Sequence, residues 1–314
     1  MKAIAFYNTE NFFDAYKDFN PTDPAFRSNG ARGWNVERYQ NKLKKISEVL
    51  AEIGQKETGE PPLLIGLAEI EGKRVLNDLV ESKALSKFQY DFIHFESQDE
   101  RGMDNAILYR KNLIQPIVTA PIRDRFFHED GREDFTRDIL YVQFEFEKTS
   151  LHTFTLHLPS RRNDNVNLAF RNEVLQNLRQ QIDRIFTENP AANIVLLGDF
   201  NGNPNDADAR KILQTSAEKN CKNHELYNPM LTIGYGVGTT MHEGGWLLYD
   251  QMIFSKAMLD ATAKIQFQSM HIFKPEKIVD RSRKFQGVPF RTFSGTRYLG
   301  GFSDHFPIFA IINV

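Results

Sequence analysis

The stretch Ile194–Asn201, IVLLGDFN, sets a run of apolar residues directly before an aspartate and an asparagine. The apolar run indicates a buried strand. Asp199 and Asn201 are two positions apart, so their side chains lie on the same side of an extended chain. A turn alone does not require this pair, and we therefore interpret the segment as part of a functional site at a strand end.

The same arrangement recurs along the chain, where polar or charged residues lie next to predicted apolar strands. Any one of these residues alone is explained as well by a turn or a buried hydrogen bond. Six such places make coincidence a poor explanation. The residues are Asn8 with Glu10, Glu69, His157, Asp199 with Asn201, Asp250, and Asp304 with His305.

The predicted secondary structure mixes strands with two long amphipathic helices, over Asn35–Ile53 and Asn165–Phe186. Several predicted strands adjoin in sequence with no helix between them. This pattern favours an α/β (α+β) fold in which two sheets pack on each other with helices outside. The long loops are expected to be functional rather than idle; they are Tyr16–Trp34, Arg123–Arg137, Asn220–Glu243 and Lys274–Gly301.

The composition limits the classes of molecule that the protein is expected to bind. The 314 residues carry a formal net charge of -2, so no global positive field draws the protein to nucleic acid or to an anionic membrane. Nucleic-acid binding would have to rest on a local patch. The sequence has no apolar run of the ~20 residues that a membrane-spanning helix needs. Cys221 is the only cysteine, which excludes an intramolecular disulfide. We expect a monomer, either cytoplasmic or exported after removal of a leader.

The chemistry of these residue types is specific. Carboxylate and amide oxygens suit Mg²⁺ or Mn²⁺, which keep several waters and bind phosphate oxygens. The chain has no His-x-x-x-His or Cys-x-x-Cys pattern, which disfavours a structural zinc site. A histidine beside carboxylates acts as a general base or holds a phosphate, depending on its partner. The pattern therefore predicts metal-assisted hydrolysis of a phosphoester.

Four motifs resemble the endonuclease/exonuclease/phosphatase superfamily, which includes deoxyribonucleases, inositol phosphatases and neutral sphingomyelinases. They occur in the superfamily's order and are similar to a bacterial branch of it; they are NTENFFD (8–14), LHLPSRR (156–162), GDFN (198–201) and RYLGGFSDH (297–305). The resemblance implies a single domain over residues 1–314. It also implies a four-layered α/β sandwich, in which two packed mixed β-sheets are flanked by helices.

The resemblance also implies a metal side of the site. Glu69 is similar to the principal metal carboxylate, and Asp304 to a second carboxylate on that side. Asn8 and Glu10 match positions that help to hold the metal or its waters. The implied cofactor is Mg²⁺ or Mn²⁺.

The remaining residues are implied to handle water and phosphate. Asp199 resembles the residue that orients or activates the attacking water, and Asn201 the amide that binds the phosphate or that water. His305 resembles the histidine on the scissile phosphate, with Asp250 as its orienting carboxylate. His157 resembles a second histidine that binds phosphate or protonates the leaving group.

Weaker signals lie beside these motifs. Arg161 follows Pro159-Ser160 and is a candidate phosphate-binding side chain, although a solvated loop charge is an equal interpretation. The loop Arg123–Arg137 is nearly neutral and is expected to offer at most one phosphate-facing arginine. Asp104 and Asn105 are minor candidates for lining the site.

We predict a divalent-metal-dependent phosphodiesterase acting on a phosphoester substrate, with nucleic acid and hence a nuclease among the candidates. The enzymatic alternative is a phosphomonoesterase or a lipid-headgroup phosphodiesterase. A non-catalytic protein that kept the fold is the other alternative. It is disfavoured because every expected position carries a competent residue.

Overall fold

The computed structural model describes residues 1–16, 23–127, 131, 133–160, 164–283 and 286–314. Two mixed β-sheets pack face to face. Sheet 1 has six strands, in the spatial order β16 (Gln266–Ile272), β19 (Ile308–Asn313), β1 (Lys2–Phe12), β2 (Leu64–Ile70), β4 (Asp104–Arg110) and β3 (Tyr90–His94). Sheet 2 has seven, in the order β11 (Thr215–Ser216), β12 (Leu226–Tyr227), β15 (Asp250–Ser255), β10 (Asn193–Asp199), β9 (Thr149–His157), β8 (Ile139–Phe146) and β5 (Gln115–Ile122).

Three short hairpins and the helices complete the described elements. The hairpins are β6 (Arg125–Phe127) with β7 (Glu133–Phe135), β13 (Thr240–His242) with β14 (Gly245–Leu247), and β17 (Phe293–Ser294) with β18 (Arg297–Tyr298). The α-helices are α1 (Val36–Glu52), α2 (Gln55–Thr58), α3 (Gly72–Glu81), α4 (Asp164–Glu188) and α5 (Ala207–Leu213). Among the described helices, none is long and apolar enough to cross a membrane.

The core forms three apolar layers. The middle layer lies between the sheets, where Phe6 of β1 and Leu197 of β10 belong to one buried cluster. A second layer joins sheet 1 to α1 and α3 through residues such as Ile46 and Leu76. The third joins sheet 2 to α4 through residues such as Leu178. Helix, sheet, sheet and helix thus follow one another, which confirms the predicted four-layered sandwich.

The two long helices match their predictions closely. The helix predicted over Asn35–Ile53 is α1, and the side chain of Asn35 caps it by accepting a 3.0 Å hydrogen bond from the backbone N–H of Arg38. The second, predicted over Asn165–Phe186, is α4. The first strand is longer than expected, since it continues past Tyr7 to Phe12. It does so because Phe12 pairs again with Ile70 of β2, beyond an irregularity in the ladder.

The strand directions bring the polar ends together at one edge of both sheets. In sheet 1, β1 and β2 run parallel towards this edge, and β19 runs antiparallel to β1, away from it. In sheet 2, β9 and β10 run parallel towards the edge and β15 runs antiparallel to β10. The ends of β1, β2, β9 and β10 therefore meet the starts of β15 and β19 there.

Gly198 allows the close approach of β9 and β10 at this edge. A Cβ atom added to Gly198 would lie 2.2 Å from the carbonyl oxygen of Leu156. Real Cβ atoms do not approach backbone this closely, so any larger residue would push the two strands apart.

We expect Gly198→Ala to lower the free energy of unfolding by about 3 kcal/mol or more, because the backbone must move to accept the methyl group. Chemical denaturation measures the change. Gly234→Ala is the matched control, since nothing lies within 4 Å of its added Cβ, and its effect should stay within about 0.5 kcal/mol. Equal stability of the two variants would contradict the role of Gly198.

Candidate active site

Three of the predicted site residues form one row across sheet 2. Asp199 pairs in register with His157 on one side and with Asp250 on the other. The Nε2 atom of His157 lies 3.6 Å from Oδ2 of Asp199. Because side chains in register on neighbouring strands share a face, the β-ladder itself sets the spacing of this row.

His305 completes the row from the segment before β19. Its Nδ1 atom lies 2.7 Å from Oδ2 of Asp250, and its Nε2 atom lies 3.9 Å from Oδ2 of Asp199. The Oγ atom of Ser303 accepts a hydrogen bond from the backbone N–H of His305 at 3.1 Å. The short contact to Asp250 fixes the orientation of the ring, so that Nε2 faces Asp199.

Asn8 joins sheet 1 to this row. Its Nδ2 atom donates a 3.0 Å hydrogen bond to Oδ2 of Asp199, and its Oδ1 atom accepts one from the backbone N–H of Glu10 at 3.0 Å. Asn8 and Asp199 are both almost fully buried. A hydrogen bond to a buried carboxylate is stronger than one between neutral groups, so this bond is an important link between the sheets.

Glu69 reaches the cleft through an irregularity in sheet 1. Ala68 pairs with Asn8 and Asn105, the pairing of β2 resumes at Ile70, and Glu69 is the extra residue between them. Its φ is +62°, and its Oε2 atom accepts a 2.7 Å bond from the backbone N–H of Asn11. A bulge of this kind re-aims a side chain, and it leaves Glu69 half-buried.

Left-handed backbone is concentrated at this edge. Besides Glu69, Glu10 has a φ of +53°, Asn11 of +51° and Asn201 of +44°. Such conformations cost non-glycine residues about 1–3 kcal/mol each and tend to cluster at functional sites. Four of them around one cleft are therefore a functional signal independent of the residue types.

Asp199 and Asn201 are joined through a turn rather than along the extended chain that their spacing predicts, because β10 ends at Asp199 and Asn201 has left-handed backbone. Oδ1 of Asp199 accepts a 2.8 Å hydrogen bond from the backbone N–H of Asn201. The Nδ2 atom of Asn201 donates to the carbonyl oxygen of Leu158 at 2.9 Å, next to His157. This orients the Asn201 amide at the end of β9.

The carboxylates of Glu10 and Asp304 differ in their contacts. The carboxylate of Glu10 accepts backbone N–H bonds from Thr292 at 2.6 Å and Phe293 at 3.3 Å, so both of its oxygens anchor that segment. The side chain of Asp304 is 34% exposed, and its Oδ1 atom lies 4.0 Å from Nε2 of His305. Asp304 therefore faces the cleft more freely than Glu10 does.

The two histidines of the cleft have opposite protonation tendencies. Burial alone would lower the pKa of His305, but the charge and hydrogen bond of Asp250, followed by Asp199 and Asp304, raise it well above its usual range. Burial lowers the pKa of His157 well below its usual range, assisted by the positive charges of Arg137 and His305. The surroundings of His305 thus favour its cation, whereas those of His157 favour its neutral form.

The carboxylates also respond to burial. Burial raises the pKa of Asp199 to about 6, with a further contribution from Asp250, while His305 and the hydrogen bonds from Asn201 and Asn8 oppose the rise. Burial raises the pKa of Glu10 to about 7, helped by Asp304. Asp199 is thus mainly ionised at neutral pH, although it is buried.

Several charged residues near the site are not evident from sequence motifs. Lys42 of α1 is fully buried beside Glu10. Around His157 lie three arginines: Arg101, which donates to the side chain of Asn11, Arg137 and Arg171. For Lys42 a signal exists, because it shares the helical stripe that buries Tyr39 and Ile46. The arginines come from separate segments and carry no such signal.

The weaker candidates have other positions. Oδ2 of Asp104 lies 2.8 Å from Nε2 of His94, and Oδ1 accepts from Ser97, so Asp104 is engaged in a local network. Asn105 donates to the carbonyl oxygen of Asp138 at 2.9 Å. Arg161 lies outside the described residues.

The donor set fits a divalent cation with oxygen ligands. Glu69 and Asp304 are half-buried carboxylates at the cleft, and hard oxygen donors of this kind are the ligands of Mg²⁺ and Mn²⁺. A second group, Asp199, Asp250 and His305, has ligand atoms within 4.8 Å of one another. Oδ1 of Asp250 is buried without a hydrogen-bond partner among the described residues. The 2.7 Å contact between Nδ1 of His305 and Asp250 nevertheless suits proton handling better than metal ligation.

Comparison with known proteins identifies one family. The family model described as "Endonuclease/Exonuclease/phosphatase family" matches residues 3–314. No curated protein matches the sequence.

Solved structures of the same fold cover the whole chain. Humanized TDP2 from D. rerio is 16% identical with a TM-score of 0.58, covering 100% of this chain and 99% of that one. A mannosyl-6-phosphatase from Bacteroides thetaiotaomicron is 15% identical with a TM-score of 0.58, covering 100% of both chains. D. rerio TDP2 in complex with a single-strand DNA product is 16% identical with a TM-score of 0.56, covering 100% and 99%. At these identities the likeness shows the fold.

We expect Asp250→Asn to lower the pKa of His305, because burial still disfavours the cation while the largest compensating charge is lost and only Asp199 and Asp304 remain to raise the pKa. An NMR titration of the metal-free protein, with the His305 signals assigned from His305→Gln, measures the change. Asp260→Asn, at a fully exposed carboxylate, is the control and should leave the titration of His305 unchanged. An unchanged pKa of His305 in Asp250→Asn would refute the coupling.

Proposed function

This chain belongs to the endonuclease/exonuclease/phosphatase family, whose members are metal-dependent phosphoester hydrolases, and we propose that it hydrolyses a phosphodiester with Mg²⁺ or Mn²⁺. The observation that carries the proposal is the buried arrangement in which Asp250 holds His305 at 2.7 Å and the Nε2 atom of His305 lies 3.9 Å from the carboxylate of Asp199. A fixed positive charge and a buried base in one cleft are what the attack of water on a phosphoester requires.

His305 supplies positive charge where negative charge develops. In the attack on a phosphodiester, charge accumulates on the non-bridging phosphate oxygens. The Nε2–H of His305 faces the cleft, because Nδ1 is occupied by Asp250. We assign His305 as a donor to the scissile phosphate and Asp250 as the residue that orients the ring and keeps it protonated.

Asp199 is the best-placed base for the attacking water. Its Oδ1 atom is held by the backbone N–H of Asn201, and its Oδ2 atom by Asn8. With a pKa raised to about 6, it is ionised at neutral pH and more basic than an exposed aspartate. Asn201, whose amide is fixed at the end of β9, binds the phosphate or the same water.

His157 acts as a neutral hydrogen-bonding group. It remains uncharged because burial and the neighbouring arginines disfavour its cation. We propose that it donates a hydrogen bond to the phosphate or to the leaving oxygen. Arg161 is proposed as a further phosphate contact on the grounds of its sequence position alone.

The metal would be held on the sheet 1 side. Glu69 on its bulge and Asp304 before β19 are the proposed principal ligands, with Asn8 close to them. Glu10 borders this group, and its bonds to Thr292 and Phe293 fix the segment that leads to Asp304. A bound divalent cation neutralises phosphate charge and polarises the ester.

Positive charges near His157 favour an anionic substrate. Arg101, Arg137 and Arg171 come from three segments and all act on His157. Arg171 is buried and donates to the carbonyl oxygen of Pro159, and Arg137 pairs with Asp99. Arg101 is partly exposed and is the one of the three proposed to contact a phosphate beyond the scissile one, as in a nucleic-acid strand. The complex of D. rerio TDP2 with a single-strand DNA product supports testing DNA first. The fold shared with a mannosyl-6-phosphatase keeps a phosphomonoester as the second candidate.

A substrate panel separates these activities. We expect cleavage of single-stranded DNA and of bis-p-nitrophenyl phosphate with Mg²⁺ or Mn²⁺, and loss of both activities with a chelator, because the carboxylates then lack their cation. Release of nitrophenol and gel analysis of labelled DNA provide the measurement. Hydrolysis of p-nitrophenyl phosphate alone would overturn the diesterase assignment.

We expect His305→Ala to lower kcat by about 10²–10⁴, because a positioned proton donor is lost. The turnover of bis-p-nitrophenyl phosphate measures the effect, and thermal unfolding verifies the fold. The control His242→Ala removes a histidine whose side chain is 72% exposed, and it should leave turnover unchanged. Near-normal activity of His305→Ala would remove His305 from the mechanism.

The pH profile tests Asp199. Since a base must be deprotonated, kcat/KM should fall as the pH drops below about 6, the pKa of Asp199. The hydrogen bond from Asn8 lowers that pKa, so Asn8→Ala should move the acid limb to higher pH. Profiles of both proteins at saturating Mg²⁺ provide the comparison, with His242→Ala as the control. An acid limb that stays in place in Asn8→Ala would argue against Asp199 as the base.

A further inference from the structure

Asn228 and Gln251 form a pair of buried amides next to the turn that carries Asn201. The two residues are 1% and 3% exposed. The Nδ2 atom of Asn228 donates a 2.9 Å hydrogen bond to Oε1 of Gln251, and the Nε2 atom of Gln251 donates a 2.8 Å bond to the carbonyl oxygen of Gly202. Buried amides are costly unless their hydrogen bonds are made. The proposed mechanism gives neither residue a role.

The orientation of both amides is determined by backbone groups at the two ends of the pair. At one end, the backbone N–H of Met230 donates to Oδ1 of Asn228 at 3.0 Å, so Nδ2 is left to face Gln251. At the other end, the carbonyl oxygen of Gly202 can only accept, so Gln251 must turn its NH₂ group towards it. The two requirements agree, and Asn228 therefore fixes the direction in which Gln251 donates.

Gln251 ties the turn at Asn201 to the strand that carries Asp250. Gln251 follows Asp250 on β15, and neighbouring side chains on a strand point to opposite faces. Asp250 therefore faces His305, while Gln251 holds the carbonyl group of Gly202 from the other side of the sheet. One strand thus serves two parts of the cleft.

The turn itself contains a strained residue. Asn201 has left-handed backbone with a φ of +44°, and its backbone N–H donates to Oδ1 of Asp199 at 2.8 Å. A non-glycine residue persists in this conformation only where its surroundings hold it there. The backbone N–H of Phe200 is bonded to the residue before β15, and the bond from Gln251 holds Gly202. The turn is therefore held on both sides of Asn201.

We propose that Gln251, oriented by Asn228, is a positioning residue that holds the turn of Asn201 in its working conformation. It keeps the backbone N–H of Asn201 on Asp199 and the side-chain amide of Asn201 at the end of β9. The part of the proposal that concerns turnover rests on the proposed function, whereas the part that concerns the turn does not.

Hydrogen exchange of the metal-free full chain tests the turn without any substrate. Gln251→Met removes the donor and nearly conserves the volume of the side chain. We expect the backbone N–H of Asn201 to exchange at least about tenfold faster in this variant, while that of Val195 in the middle of β10 keeps its rate. Gln143→Met makes the same change at a half-buried glutamine of β8, and as the control it should alter neither rate.

Two further variants test the donor and its orientation. Gln251→Glu should exchange Asn201 at the unmodified rate at pH 5, because a buried carboxyl group is then protonated and its O–H can again donate to Gly202. Asn228→Ala should speed the exchange of Asn201 in the unmodified protein but not in Gln251→Met, because Asn228 acts through Gln251. An equal effect of Asn228→Ala in both backgrounds would overturn the role of Asn228.

Turnover separates positioning from stability. Gln251→Met should lower kcat for bis-p-nitrophenyl phosphate about tenfold or more and leave KM within about twofold, because groups at the reacting centre are displaced while substrate binding is kept. The control Gln143→Met should change neither constant.

Three results would overturn the proposal. They are an unchanged exchange rate of Asn201 in Gln251→Met, an equal acceleration at Asn201 and Val195, and a normal kcat despite a loosened turn. The second result would show that Gln251 only stabilises the sheet. If the unmodified protein cleaves no phosphodiester with Mg²⁺ or Mn²⁺, the proposed function fails, while the exchange rates still decide whether Gln251 holds the turn.

Discussion

The register of β10 between its two neighbours is the constraint on which the site depends. Asp199 stands opposite both His157 and Asp250, so a single pairing pattern aligns three ionisable groups. A slip by one residue would turn every side chain of β10 to the other face. The apolar residues of β10 resist such a slip, because Val195 and Leu197 face the inner core while Ile194 and Leu196 face α4. The packing of the core and the alignment of the cleft are thus fixed together.

The cleft concentrates buried charge, and each buried group has a compensating partner. Asp250 faces His305, Asp199 accepts from Asn8 and Asn201, and Glu10 accepts from two backbone N–H groups. Removing one partner of such a pair leaves an uncompensated buried charge. This costs several kcal/mol of stability, which is more than the pair itself contributes. The contacts that compensate the buried charges also orient them. The same contacts therefore determine both the stability and the chemistry of this region.

Much of the fold, and the gathering of most candidate residues at one edge of the sheets, were predictable from sequence, because both depend on local patterns. Apolar runs followed by polar residues marked strand ends, and parallel strands bring such ends to one edge. The bulge that re-aims Glu69 was not predictable, because it arises from the pairing of β2 with both neighbours. The hydrogen bonds from Thr292 and Phe293 to the Glu10 carboxylate could not be predicted either, because they join residues that are far apart in sequence.

The left-handed backbone at Glu10, Asn11, Glu69 and Asn201 has a consequence for how the sequence changes over time. Glycine adopts this conformation without the steric cost that the larger residues bear. A replacement by glycine at Glu69 would therefore relieve backbone strain while it removes a carboxylate from the cleft. In a lineage released from selection for activity, glycine at this position would therefore meet no steric barrier in the backbone.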